Sequence, residues 1–234
     1  SSPEDYFNTV LTTSTGSTLS VDVGFAADFL WTKARNFARS HELHDRVRGD
    51  NVRLKSDATT AEESYSNYVV FDADGADLGT NHNLGYHAGG TTNGVVWAWK
   101  ANGSGVDATN QMGGAGTGSS ATISANTEVG FSIIKYTIGT SPDTYKTIPH
   151  GLGVKPEVLI VKRTDASGNN WAVWHHEMGD NKYMSLNTTS GENTDITVFR
   201  TGSDYTNSTT FGVRGTLTGG EGNTYICYAF KGIE

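Results

Sequence analysis

The chain has 234 residues, a net charge of −8 and a hydrophobic content of 35 %. The negative charge argues against nucleic-acid binding, because no basic stripe is present to pair with phosphates. No apolar run approaches the roughly 20 residues that span a bilayer, so we expect no membrane insertion. The single cysteine, Cys227, cannot form an internal disulfide and is expected as a small buried side chain. Stability must therefore come from core burial or from oligomerisation.

Short apolar stretches separated by turn residues predict an all-β fold. The strands expected in the first half are residues 6–11, a core strand within 21–35, 43–47, 52–54, 68–71 and 95–100, with a Gly-rich loop or edge strand at 84–90. The strands expected in the second half are residues 131–137, 158–163, 171–175, 183–186, 197–200, 211–214 and 224–231. About seven short strands in each half favour a β-sandwich or jelly-roll-like unit.

The two halves of the chain repeat one another in sequence. GFAADFLWTKAR at residues 24–35 aligns without a gap with GVKPEVLIVKRT at 153–164, and HELHDRVRG at 41–49 aligns with WAVWHHEMG at 171–179. Three further pairs keep the same order, namely 7–11 with 131–135, 70–71 with 198–199 and 95–101 with 226–232. Repeated blocks in one order indicate a tandem duplication. We therefore predict two tandem homologous β-sandwich (jelly-roll-like) units from an internal duplication, with one merged pair of sheets as the alternative.

The boundary between the two predicted units is a stretch poor in large apolar residues. We predict a first unit at residues 1–101, a linker at 102–129 and a second unit at 130–234. The linker contains GGAGTGSS at 113–120, a composition typical of flexible segments. Within it, only residues 121–124 are expected to pair as a strand.

Three acids in the segment DADGAD, which are Asp72, Asp74 and Asp77, are similar to the start of a calcium-binding loop. The full pattern requires a Glu at its twelfth position, which is Asn83 when counted from Asp72. The calcium pattern therefore fails. We predict a β-turn with solvated acids here and no metal ligand.

Two pairs of histidines are candidate metal ligands, His41 with His44 and His175 with His176. HELH, which also contains Glu42, differs from the zinc-protease motif HExxH, because its second His comes one residue too early for a shared helix face. In an extended strand the two histidines of each pair face opposite sides. We therefore predict isolated histidines at loops or strand ends, and no metal site.

Sequence motifs of common enzymes are missing. GGAGTGSS lacks the Lys-Ser/Thr ending of a phosphate-binding loop, and no G-x-S-x-G nucleophile elbow occurs. A carboxylate pair for glycoside hydrolysis stays open, because such a pair is formed in space. We predict no catalytic residue and no cofactor, and we assign no residue to ligand binding.

Tryptophans offer a further candidate surface. Trp171 and Trp174 face opposite sides of an extended segment, so one face cannot bury both. An exposed Trp beside His175 would stack on a sugar or pack on a neighbouring subunit, although core packing is the default expectation. Trp97 and Trp99 are two residues apart, share one face and are expected in the core.

The full set of motifs resembles a known family. The motifs follow in the order YFNTVL, VGFAADFLWTKAR, LHDRVRG, VVFDADGADLG, VVWAWKA, GFSIIKYT, HGLGVKPEVLIVKR, WAVWHHEMG, LNTT and TYICYAF. This set covers residues 6–230 and resembles the duplicated β domains of marine bacteriophage and cyanophage tail-fibre-like virion structural proteins, a domain of unknown function. The resemblance implies a location on the exterior of the phage particle and carries over no catalytic residue.

The resemblance and the missing catalytic motifs favour a non-enzymatic bacteriophage virion structural protein. The first expectation is a tail-fibre or receptor-binding component for host adhesion, which contacts host surface polysaccharide. The alternative is a capsid (head) decoration or spike protein, for which residues 1–5 would be an anchor. A polysaccharide-degrading enzyme is the third. Expected partners are other virion proteins and further copies of the chain, with a trimer implied by the resemblance alone.

Overall fold

The chain folds into two compact units. The computed structural model describes residues 2–85, 90–141 and 144–232. Unit 1 runs to Ser104 without Thr59–Ala61, and unit 2 comprises Thr59–Ala61 and the chain from Gly105 onward. No helix within the described ranges has the length and apolarity needed to cross a membrane. The predicted all-β class is confirmed.

Unit 1 consists of two antiparallel sheets. Its strands in chain order are β1 (Phe7–Ser14), β2 (Leu19–Asp22), β3 (Phe29–Ala34), β4 (Glu42–Asp45), β5 (Val52–Lys55), β6 (Glu63–Ser64), β7 (Val69–Phe71), β8 (Gly75–Leu78) and β9 (Thr92–Trp99). The larger sheet has the order β1-β9-β3-β4-β5-β6, and the smaller sheet has the order β2-β8-β7. Leu30 and Val96 from the larger sheet meet Val21 and Ala76 from the smaller sheet in one buried core.

Unit 2 also consists of two antiparallel sheets. Its elements in chain order are β10 (Val106–Asp107), β11 (Ser120–Asn126), β12 (Phe131–Thr137), β13 (Lys146–Pro149), β14 (Val158–Arg163), β15 (Ala172–His175), β16 (Lys182–Ser185), β17 (Asn193–Thr194), β18 (Phe199–Arg200), β19 (Thr210–Val213), the helical turn α1 (Gly215–Thr218) and β20 (Thr224–Phe230). The larger sheet has the order β10-β11-β12-β20-β14-β15-β16-β17, and the smaller sheet has the order β13-β19-β18. Leu159 and Cys227 from the larger sheet meet Ile148 and Phe211 from the smaller sheet in one core.

The two units share one strand order. The series β1-β9-β3-β4-β5-β6 corresponds strand for strand to β12-β20-β14-β15-β16-β17, and β2-β8-β7 corresponds to β13-β19-β18. In each unit the cross-strand partner of every residue in these strands is known. A residue on a strand of unit 1 can therefore be matched to the residue at the equivalent position of unit 2. Unit 2 differs at one edge, where β11 and β10 extend the larger sheet beyond β12.

β14 is an interior strand of the larger sheet of unit 2, between β20 and β15. Gly151 and Gly153 have φ values of 71° and 75°, a left-handed conformation that glycine adopts without strain. The strand that follows buries Leu159 and Val161 completely and pairs with β15 on one side and β20 on the other. An apolar run bounded by turn residues therefore becomes a strand with neighbours on both edges.

The core face of β9 is the opposite of the predicted one. Trp97 and Trp99 share a face, but that face is only half-buried. Val96 and Ala98, which lie between them, are fully buried and belong to the core of unit 1. The expectation that both tryptophans lie in the core is wrong, because the small residues of this strand point inward.

The segment predicted as a linker, residues 102–129, contains regular structure. It carries β10, a 3-10 turn at Thr109–Gln111 and β11, and it belongs with unit 2 from Gly105 onward. The strand expected at residues 121–124 is present as the longer β11. Residues 86–89 of the Gly-rich loop or edge strand expected at 84–90 lie outside the described residues.

Candidate functional site

Two polar residues of β4 point into the core of unit 1. Residues two apart on a strand share a face, so Glu42 and His44 project on the same side as the core residue Leu30, the cross-strand partner of His44. His82, which follows β8, reaches the same place from the smaller sheet. All three polar residues are fully buried. We call Glu42, His44 and His82 the Glu–His–His cluster.

Three atoms of types that bind metal ions converge in the Glu–His–His cluster. His82 Nε2 lies 3.1 Å from His44 Nε2 and 3.3 Å from Glu42 Oε2. All three ligand-type atoms lie within 4.8 Å of one another. The fold therefore gathers two imidazole nitrogens and one carboxylate oxygen around a single point inside unit 1.

Backbone contacts fix the proton positions on both imidazoles. His44 Nδ1 lies 2.8 Å from Val52 O. A carbonyl only accepts hydrogen bonds, so Nδ1 carries the proton and Nε2 of the neutral ring has a free lone pair. The N–H of Leu84 donates to His82 Nδ1 at 3.0 Å, which places the proton of His82 on Nε2. His82 Nε2–H therefore donates to His44 Nε2.

Glu42 is held through one carboxylate oxygen and leaves the other unbonded. Oε1 accepts hydrogen bonds from Tyr68 Oη at 2.6 Å, Asn83 Nδ2 at 2.7 Å and Arg53 Nη1 at 2.5 Å. Oε2, which is next to His82, is fully buried and accepts no hydrogen bond from the residues that the structure describes. A buried carboxylate oxygen without a donor is rare, because its desolvation is not compensated.

Arg53 separates the cluster from solvent. Its guanidinium carbon lies 4.6 Å from the ring centroid of Tyr65 and 5.2 Å from that of Tyr68. Its Nε lies 3.0 Å from Glu63 Oε2. Tyr65 is 38 % exposed, whereas Tyr68 is 1 % exposed. Arg53 therefore connects Glu42 of the cluster to the partly exposed ring of Tyr65.

Burial keeps both cluster histidines neutral. Desolvation, together with the neighbouring His82, lowers the pKa of His44 to about 3. Desolvation, together with the charge of Arg53, lowers the pKa of His82 to about 3. Both rings are neutral at neutral pH, in agreement with the proton positions that the backbone contacts require.

Unit 2 has an apolar core at the same place. Residues at equivalent positions of the two units can be matched from the strand registers. Glu42 is equivalent to Ala172, His44 to Trp174, Arg53 to Tyr183 and Tyr68 to Val198. His82 is equivalent to Leu217, because each lies four residues after the end of the preceding strand. Ala172, Trp174 and Val198 are buried in the core of unit 2, and Tyr183 and Leu217 pack against it. The same strand order therefore forms with apolar residues at these positions, and among the described residues the cluster belongs to unit 1 alone.

The other candidate residues from the sequence make local structural contacts. Trp31 Nε1–H donates to His41 Nδ1, and the Glu177 N–H donates to His175 Nδ1. His176 lies half-exposed, 3.5 Å from each of two acids. The isolated positions expected for His41 and His175 agree with these contacts, whereas His44 lies in a buried cluster.

The acids of DADGAD form a turn, as their sequence predicts. The N–H groups of Asp74 and Gly75 donate to Asp72 Oδ1 at 3.2 and 2.7 Å, which closes the connection between β7 and β8. Asp77 lies exposed on β8. The carboxylate of Asp72 therefore stabilises the turn.

Both tryptophans of WAVW are buried. Trp171 is 0 % exposed and Trp174 is 2 % exposed. Trp174 packs in the core of unit 2, and its Nε1–H donates to Gly179 O at 3.1 Å. Stacking of a sugar on an exposed Trp at this strand is therefore not supported.

A separate cleft of about 520 Å³ opens on unit 1. It is lined by the charged side chains of Asp28, Arg46, Asp72 and Lys100 and by Phe71. Arg46 Nε lies 3.2 Å from Asp28 Oδ1, and the Arg46 guanidinium lies 5.0 Å from the centroid of the Phe71 ring. Burial raises the pKa of Asp28. The cleft places fixed charges beside an aromatic ring, a combination that suits a polar ligand.

Residues 2–234 match one family model, described as "Domain of unknown function (DUF7483)". No match was found among curated proteins or among solved structures.

Proposed function

The chain belongs to this family of domains of unknown function, and we propose that it is a non-enzymatic structural protein on the exterior of a bacteriophage virion. The resemblance to tail-fibre-like virion proteins supports this proposal. The structural observation that carries it is the outer edge of β1 in unit 1, with which no described strand of the chain pairs. Such an edge suits assembly into a larger particle.

We further propose that the two units arose by internal duplication and that each is a jelly-roll-like β-sandwich. The shared strand order supports the duplication, since sheets with the same order occur in both units. The aligned sequence blocks at residues 24–35 and 153–164 contain β3 and β14, which occupy the same position in the two sheets. In each unit a core between two sheets supports the sandwich.

β1 presents an uncovered edge. Among the described strands, β9 is the one that pairs with β1. The N–H of Lys100 donates to Tyr6 O, and alternate residues of an antiparallel strand direct their backbone groups to opposite sides. The backbone groups of Leu11 and Thr13 therefore point away from β9. The Leu11 side chain is 65 % exposed, so the edge combines open backbone groups with an apolar side chain.

Unit 2 shows the kind of partner that this edge accepts. β12 is the counterpart of β1, and β11 pairs along its whole length, from Ser120 opposite Thr137 to Asn126 opposite Phe131. The same edge is therefore covered in unit 2. We propose that a strand from a neighbouring copy of the chain covers β1 in the virion. A trimer is the oligomer that the resemblance implies.

Substitution of Leu11 by Lys tests this assembly. A lysine on an edge strand opposes strand addition but leaves the hydrogen bonds to β9 in place. We expect the wild-type chain to sediment as an oligomer and Leu11→Lys to sediment as a monomer. Val70→Lys is the matched control, because Val70 is 44 % exposed but lies on β7 in the smaller sheet. A monomeric wild-type chain, or equal loss of assembly in both variants, would contradict the proposal.

Host adhesion is the role that the cleft of unit 1 supports. Its charged and aromatic lining suits host surface polysaccharide. We expect the purified chain to bind host cells or their polysaccharide, and Lys100→Ala to weaken binding. Lys135→Ala on β12 of unit 2 is the control. Equal binding by both variants would exclude the cleft, and release of reducing ends would indicate an enzyme.

The location of the chain on the particle separates adhesion from decoration. Cryo-electron microscopy of the intact virion should show the chain at the tail or at a fibre end. Density repeated over the capsid lattice would instead favour the head decoration or spike role.

A further inference from the structure

We propose that Glu42, His44 and His82 form a binding site for a divalent transition metal ion, with zinc as the ion that fits best. This site is independent of the proposed virion function, because it lies inside unit 1 and involves neither β1 nor the cleft. Its three donor atoms are His44 Nε2, His82 Nε2 and Glu42 Oε2.

Two of the three separations between the donor atoms match a tetrahedral metal. Zinc binds imidazole nitrogen and carboxylate oxygen at roughly 2.0–2.2 Å, so two ligands of a tetrahedral ion lie about 3.3 Å apart. The separations are 3.1 Å between the two Nε2 atoms and 3.3 Å between His82 Nε2 and Glu42 Oε2. The third pair, His44 Nε2 and Glu42 Oε2, lies within 4.8 Å. Two nitrogens and one oxygen are also the ligand types that favour zinc over magnesium or calcium.

The surrounding residues orient two of the three ligands. Metal-bound histidines usually donate their other N–H to a carbonyl or carboxylate, and His44 does so to Val52 O. Glu42 Oε1 is occupied by Arg53, Tyr68 and Asn83. Oε2 lies 3.3 Å from His82 Nε2 and accepts no hydrogen bond within the described part of the chain. The unbonded, fully buried oxygen is the observation that points to a missing cation.

His82 must change its tautomer to bind the ion. In the metal-free cluster its Nε2 carries the proton and its Nδ1 accepts from the Leu84 N–H. Metal binding at Nε2 requires that this proton leaves Nε2 and that one proton is taken up at Nδ1, so the ring stays neutral. The Leu84 N–H must then turn away. Metal binding is therefore coupled to the backbone just after β8.

Titration of the metal-free chain tests the site. Protein treated with a chelator should bind one zinc ion per chain by isothermal titration calorimetry, and cobalt(II) should give the visible absorption of a tetrahedral complex. His44→Gln and His82→Gln should each weaken binding by at least tenfold to a hundredfold, since even the loss of an outer-shell partner has about that effect. The amide resonance of Leu84 should shift when the wild-type chain is loaded.

His150 in unit 2 provides a matched control. It is fully buried like the cluster histidines, its Nδ1 accepts from the Leu152 N–H, and its Nε2 lies 3.1 Å from Asn207 O. His150→Gln should bind zinc as the wild type does. Zinc binding that survives both cluster substitutions, or no binding by the metal-free wild type, would overturn the proposal. If a cluster variant does not fold, X-ray absorption of the cobalt-loaded wild type decides, because the proposal requires two imidazole ligands.

Discussion

At equivalent positions the core of unit 1 contains polar residues, whereas the core of unit 2 contains apolar residues. In unit 1, β4 directs Glu42 and His44 into the core, whereas in unit 2 the corresponding strand, β15, directs Ala172 and Trp174 into it. Both units nevertheless have the same strand order. The comparison teaches that the sheet pair accepts either an apolar or a polar core at this point, so the fold alone does not explain the polar one.

The polar core of unit 1 is expected to stabilise the fold less than an apolar core would. Replacement of a buried ion pair by packed apolar residues is often neutral or stabilising, by about 1–4 kcal/mol. Glu42 and Arg53 form such a pair, with side chains 1 % and 13 % exposed. Unit 2, with Ala172 and Tyr183 at these places, is the apolar alternative. A cluster that the fold does not need is best explained by a ligand.

Removal of Glu42 should produce the largest effect. Glu42→Ala leaves the Arg53 guanidinium without its buried partner, and we expect unfolding to become easier by about 3–5 kcal/mol. Urea unfolding followed by fluorescence measures the change. Asp77→Ala, at an exposed acid on β8, should change stability by less than about 0.5 kcal/mol. Similar losses of stability in both variants would contradict the expectation that the buried Glu42–Arg53 pair stabilises unit 1.

Acid should destabilise unit 1 more than unit 2. In chelator-treated protein the pKa of His44 and of His82 is about 3 when folded, below the 6.5 of an exposed histidine. The folded state therefore binds fewer protons than the unfolded state between these values. Stability is complete above pH 6.5 and falls as the pH is lowered, by on the order of 1.4 kcal/mol per pH unit for each ring. The charges that act on these rings are those of Glu42 and Arg48 at His44 and of Arg53 at His82, whose Nε2 also lies 3.3 Å from Glu42 Oε2.

Hydrogen exchange can resolve that difference between the units. After correction for the intrinsic effect of pH, exchange in β4 should accelerate between pH 7 and pH 5, whereas exchange in β15 should change less. His44→Gln should reduce the pH dependence in β4. Equal acceleration in both strands would contradict the separate behaviour of the two cores.

Cys227 should report on unit 2 independently. Its thiol is fully buried on β20, and burial raises its pKa. A small disulfide reagent such as 4,4′-dithiodipyridine should therefore react with Cys227 only when unit 2 opens. At mildly acidic pH, where β4 is expected to open, labelling should stay slow. Rapid labelling of the native chain at neutral pH would show that this core is open to solvent.

The turn between β7 and β8 should give the smallest effect. Asp72 accepts two backbone N–H groups there, and loss of such a cap costs about 0.5–2 kcal/mol. We expect Asp72→Ala to lower stability by about 1 kcal/mol in thermal unfolding, with no response to calcium in either protein. A calcium-dependent melting temperature in the wild type alone would show instead that DADGAD binds the ion.

Much of the fold is visible in the sequence because its strands are short and apolar. The sequence predicts strands at residues 158–163 and 131–137, and these are the bounds of β14 and β12 in the structure. The sequence does not show which face of β9 is directed into the core, since both of its faces carry apolar residues. Trp97 and Trp99 are the larger side chains, but Val96 and Ala98 are the ones that fit between the sheets.

The Glu–His–His cluster was only half visible. Glu42 and His44 are two residues apart, so a strand at this position places them on one face. When His41 is compared with His44, the shared face of Glu42 and His44 is overlooked, because His41 and His44 face opposite sides of the strand. His82 lies far along the chain and joins the cluster only through the pairing of β8 with β2 and β7. Long-range pairing of this kind leaves no local pattern.

Anomalous diffraction from crystals grown with zinc would test most directly why unit 1 has a polar core. We predict a peak at the zinc edge between His44 Nε2, His82 Nε2 and Glu42 Oε2, with the Leu84 N–H turned away from His82. No such peak is expected beside Trp174 in unit 2. A zinc-containing crystal in which His82 still donates to His44, with no peak in the cluster, would contradict the account.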